Sequence, residues 1–86
     1  MYWSMFMAGR IYEDFVAKGG FGMPVGASYS REVFATREDF NRIVGHLRLV
    51  LNGTDYDFQE MPLENELGFL LIIQRQPSVD VQEHNN

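Results

Sequence analysis

The chain has 86 residues, 45% of them hydrophobic, with a formal net charge of -5 and no cysteine. That length supports one domain whose single core buries about 60–65% of the surface the unfolded chain exposes. The composition excludes disulfide staples, thiolate metal sites and cysteine nucleophiles. The charge disfavours nonspecific nucleic-acid binding, which needs Lys and Arg on phosphates.

The chain opens on MYWSMFMAG, which is apolar but short and is followed at once by Arg10, Glu13 and Asp14. It has no basic leader and cannot span a bilayer, so a cytoplasmic protein is expected. A first helix is predicted over residues 4–18. Met5, Ala8, Gly9, Tyr12, Phe15 and Val16 share one face at helical spacing, with Ser4 as cap and Gly19-Gly20 as stop. A strand over residues 2–8 is the competing reading. Trp3, Phe6, Met7 and Ile11 fall off that stripe. A helix that is apolar all round is buried or sits at an interface, so these four are candidate homodimer contacts.

Segment 19–26, GGFGMPVG, is the glycine-rich stretch. It is not a Walker loop, lacking the Gly-Lys-Ser/Thr ending. It is not a dinucleotide fingerprint either, since Val25 stands where the third Gly belongs. It reads as a flexible connector, or as a mobile loop over a ligand. Residues 28–35 alternate as a strand, with Tyr29, Val33 and Ala35 facing one way and Ser30, Glu32 and Phe34 the other.

Residues 36–53, TREDFNRIVGHLRLVLNG, give the clearest helical signal. Phe40, Ile43, Val44, Leu47, Val50 and Leu51 form one stripe. Thr36 suits the N-cap, Glu38 and Asp39 suit the first turn, and Asn52-Gly53 suits the stop. Leu49 lies opposite the stripe, one turn after Gly45 and flanked by Arg42 and His46. Either another element packs there, or it is a single surface Leu without significance, or a partner contacts it. Residues 55–61 alternate as a second strand, with Tyr56 and Phe58 opposite Asp55, Asp57 and Gln59. Residues 62–66 make a hairpin loop. Residues 67–75, LGFLLIIQR, are apolar on both faces and predict a central strand covered on both sides.

These elements predict an α+β fold, two helices packed on a small, mainly antiparallel three-stranded sheet in the order α-β-α-β-β. The last strand should lie between the other two. Residues 1–76 would form the single domain and 77–86 a polar C-terminal tail.

No catalytic motif emerges. His46 stands near Arg42, which opposes metal binding, and only His84 in the tail could join it, so no metal or other cofactor is expected. None of the serines sits in a nucleophile elbow. Glu64 and Glu66 fall in a solvated loop that would not raise a carboxylate pKa for acid catalysis. A non-enzymatic role is expected.

The charge map is more informative. Between Arg48 and Arg75 there is no Lys or Arg, whereas Asp55, Asp57, Glu60, Glu64 and Glu66 all lie there. An acidic hairpin of this kind steers a basic partner, or else keeps an edge strand from aggregating. The function expected is therefore a small acidic interaction module. It would use Asp55, Asp57, Glu60, Glu64 and Glu66, with Leu49 and Arg42 as further contacts. The partner would be a larger protein with a basic surface. By analogy of size and charge alone, phage-encoded counter-defence inhibitors that block a nucleic-acid-binding surface are of this sort. One alternative is a small-ligand binder or small enzyme subunit, in which segment 19–26 closes over a pocket of Phe21, Tyr29 and Phe34. The other is a structural homo-oligomer built on the apolar N-terminus.

Overall fold

A computed structural model describes residues 2–51 and 55–77. The proposed stop at Asn52-Gly53 and all of the tail beyond Pro77, His84 included, lie outside them. The described elements are α1 (Tyr2–Ala17), one turn of 3-10 helix (Gly20–Gly22), β1 (Ser28–Val33), α2 (Arg37–Val50), β2 (Tyr56–Pro62) and β3 (Phe69–Arg75). The α+β class and the α-β-α-β-β order are as the sequence predicts.

β3 lies between β1 and β2 and pairs antiparallel with both. The register brings Tyr29 and Phe58 to opposite sides of Ile73. Side chains on neighbouring strands at one register position point the same way, so Tyr29, Val33, Phe58, Leu71 and Ile73 share a face. That face carries the core. Phe15, Phe40, Ile43, Leu47, Leu71 and Ile73 are essentially inaccessible to solvent.

Both helices pack on this one face. Phe15 of α1 makes edge-to-face contacts with Tyr29 and Tyr56, at 5.4 and 5.5 Å between centroids, and Phe40 of α2 stacks on Phe69 at 4.7 Å. The expectation that β3 is covered on both sides is therefore corrected. Leu70 and Ile72, on the reverse face, are only half-buried.

Local signals act as expected at the start of α2, whereas Val50 of the predicted stripe is exposed. The Thr36 hydroxyl accepts from the Asp39 amide at 3.1 Å, and Glu38 and Asp39 occupy the first turn. In α1 the helix reading holds over the strand reading, but the predicted stripe has the wrong phase. Ser4, Ala8, Ile11 and Phe15 are buried, whereas Met5 and Val16 are exposed. Ile11 is thus a core residue and not an interface contact, and Met7 is half-buried against the core. Trp3 and Phe6 do remain exposed.

The glycine-rich connector is fastened rather than loose. Tyr56 donates its hydroxyl to the Gly20 carbonyl at 2.9 Å, and Arg75 donates to the Met23 carbonyl at 2.7 Å. Phe21 packs edge-on against Tyr12, Phe15 and Tyr56. Gly20 is required there, because a Cβ would fall 2.4 Å from the Phe15 ring.

Candidate functional site: the open face of the sheet

The reverse face of the sheet consists of alternate residues from three strands. Across it run the rows Glu32–Leu70–Met61, Ser30–Ile72–Gln59 and Ser28–Gln74–Asp57. No described element packs on this face. Its centre is apolar, with Leu70 and Ile72 half-buried and Met61 54% exposed. Phe34, just past β1, extends it and is 59% exposed.

The rim is acidic. Glu32 flanks the strip on β1 and Asp57 flanks it on β2, while Asp55 precedes β2 and Glu64 and Glu66 occupy the β2–β3 loop. Among the described residues none of these five carboxylates is in an ion pair. Asp57 accepts one hydrogen bond, from the Gln59 amide at 3.1 Å. Basic residues are elsewhere. Arg10 and Lys18 belong to α1 and its end, and Arg37, Arg42 and Arg48 to α2. Arg31 and Arg75 sit at register positions of the helix-covered face.

Four of the seven cations on the helix side are in ion pairs among the described residues. Asp14 is 3.4 Å from Lys18 and 3.5 Å from Arg31, and Arg42 lies 2.8 Å from Asp39. Arg37 pairs with Glu60, which takes Glu60 out of the predicted acidic patch. The Tyr29 hydroxyl donates to Asp14 at 2.6 Å. That bond, reinforced by Lys18 and Arg31, holds the Asp14 carboxyl below the usual range, although partial desolvation opposes it. Burial, and then the same carboxylate, push the Tyr29 phenol up to about 12.

Of the residues predicted to bind a partner, Asp57 occupies the open face and Glu64 lines the cleft at its corner, whereas Asp55 precedes β2 at the opposite end of that strand from Glu64 and Glu66. Leu49 and Arg42 are away from that face, because both are on the helix layer. Leu49 is 76% exposed and borders a shallow groove of about 340 Å³ between α1 and α2, with Met5, Gly9, Tyr12, His46 and Val50. Nothing lies within 4 Å of a Cβ placed on Gly45, so no described element makes a close approach there.

The proposed ligand pocket of Phe21, Tyr29 and Phe34 is not assembled. Phe21 and Tyr29 both contact Phe15, but Phe34 is five residues along the strand direction from Tyr29, about 16 Å away. Instead Phe34 lines a cleft of about 390 Å³ with Glu32, Leu63, Glu64 and Asn65. Glu32, Met61, Leu70 and Ile72 were not singled out as contacts from sequence. The two-sided apolarity of residues 69–73 was the available signal, and it reads equally as a second core. Among the described residues no group of three or more His, Cys, Asp or Glu is placed to hold a metal, and no helix is long and apolar enough to cross a membrane.

Compared with models of known protein families, with curated proteins and with solved structures, the chain matches none.

Proposed function

We propose that this protein is a non-enzymatic interaction module whose open sheet face covers a basic, partly apolar surface on a larger protein. One observation carries the reading: the uncovered strip of Leu70, Ile72 and Met61 is rimmed by carboxylates without ion pairs, and every Lys and Arg lies on other parts of the molecule. Apolar centre and charged rim are the usual anatomy of a protein interface. The acidic rim would steer a basic partner and set its orientation, while the strip would hold it. A surface that otherwise takes nucleic acid is basic in this way, so occupying it would make the protein an inhibitor of that binding, as some phage-encoded counter-defence proteins are.

The test is capture from lysate of the native host at low and high salt, with Glu32→Lys/Asp57→Lys and Met61→Glu variants alongside. A basic protein held by the unmodified chain, lost on charge reversal or in salt, and displaced by a DNA or RNA oligonucleotide, is the expected result. Capture indifferent to both variants would sink the reading.

A second reading rests on a different surface. Met5, Phe6, Leu49 and Val50 are each more than half exposed on the helix layer, and they favour a homodimer through α1 and α2. Sedimentation of Phe6→Glu and Leu49→Glu variants tests it. A dimer that dissociates with folding intact supports it, and a monomeric unmodified chain ends it.

A further inference from the structure

We propose that the cleft at the corner of the open face takes one arginine side chain of the partner. This rests on the reading that the open face binds a basic protein, and it names the group recognised. Glu32 at the end of β1, Phe34 just beyond it, and Leu63, Glu64 and Asn65 of the β2–β3 loop surround a cleft of about 390 Å³. That volume is ample for one long side chain.

The lining matches a guanidinium group on two counts. Glu32 and Glu64 approach from separate elements, and neither forms an ion pair with any described residue. A planar donor fork can serve two carboxylates at once, which an ammonium point charge does less well. Phe34 supplies the second count. Elsewhere in this molecule aromatic rings are already covered by arginine: Arg37 lies 4.3 Å from the Phe69 centroid, Arg48 5.0 Å from Phe58, and Arg10 5.6 Å from Phe6. Phe34 stands exposed beside two carboxylates, and among the described residues no such cation lies over it. A guanidinium stacked on Phe34 beside Glu32 and Glu64 would resemble, between molecules, the way Arg37 lies over Phe69 while pairing with Glu60.

The occupant is argued from charge complementarity. With no basic side chain projecting from the open face, nothing in the described chain competes for the cleft, and an acidic or neutral side chain would leave both carboxylates unmatched. Asn65 is partly committed already, since its side-chain oxygen accepts from the Leu67 amide at 2.9 Å, which fixes the loop wall.

The test uses the full chain and three blocked tripeptides, Gly-Arg-Gly, Gly-Lys-Gly and Gly-citrulline-Gly, titrated by NMR. The arginine peptide should shift the amides of residues 32–34 and 63–65 saturably, with a dissociation constant on the order of millimolar, as fits so few contacting atoms. Lysine should bind more weakly, and neutral citrulline should not bind. Phe34→Ala should weaken binding about three- to tenfold, and Glu64→Gln should do so to a similar extent. Both residues are exposed, so the variants should keep the native spectrum elsewhere. Shifts that are absent, that fall outside the cleft, or that are equal for citrulline overturn the proposal. The two readings fail separately. A basic protein captured equally well by Phe34→Ala leaves the open face as the binding surface and removes the arginine site. Saturable arginine binding without any captured protein keeps the cleft and removes the larger reading.

Discussion

A Cβ placed on Gly68 would come within 2.1 Å of the Val33 carbonyl oxygen. The obstacle is backbone, so it cannot yield as a side-chain end would. Gly68→Ala is expected to cost about 1–3 kcal/mol, read from urea unfolding, by prising the start of β3 from the end of β1. The Asp14–Tyr29 pair gives stability a pH dependence at both extremes. Asp14 has its folded pKa depressed, so its contribution is intact above the ordinary carboxylate range and is lost as pH falls through the depressed value. Tyr29 is the reverse case. Its folded pKa is raised to about 12, so its contribution is intact below the ordinary value near 10 and is lost as pH rises toward 12. Ultraviolet titration should show Tyr29 ionising late, and Tyr29→Phe should remove that step.

At the level of elements, β3 separates two kinds of apolar residue that look alike in sequence. Leu71 is wholly buried under the helices, and Ile72 lies on the uncovered side. Leu71→Ala should cost about 2–5 kcal/mol, whereas Ile72→Thr should cost no more than about 1 kcal/mol. Equal costs by chemical denaturation would mean that the open face is covered after all. The same pair shows what was legible. Alternation in residues 55–61 placed Tyr56 and Phe58 inward correctly, and the period of α2 placed Phe40, Ile43 and Leu47 in the core. Periodicity fails where both phases are apolar. In α1 it could not tell that Ser4 and Ile11 point inward and Met5 and Val16 outward. In β3 it could not tell a second core from a contact surface. The connector escaped for another reason. Its order depends on Tyr56 and Arg75, more than thirty residues away in the chain, and no local pattern announces such contacts.

For the whole molecule, the decisive property is segregation of charge rather than its total. All seven cations and the carboxylates that pair with four of them belong to the helix side, whereas the carboxylates at the sheet's open side form no ion pair among the described residues. Exposed charges that form no ion pair in the folded chain contribute little to holding it together. The Glu32→Lys/Asp57→Lys protein should therefore unfold within about 0.5 kcal/mol of the original, even while partner binding collapses. A melting curve beside a binding curve separates the two effects.

The position of β3 also governs when this protein can exist. β1 and β2 each pair with β3 and not with each other. As the chain leaves the ribosome, both helices and both outer strands emerge before the strand that joins them. A nascent chain that stops at Gly68 has no strand pair, and the inner faces of α1 and α2 lack Phe69, Leu71 and Ile73 to pack on. Folding must wait until β3 itself has been made, and until then the apolar stripes of both helices are open to chaperones and proteases alike.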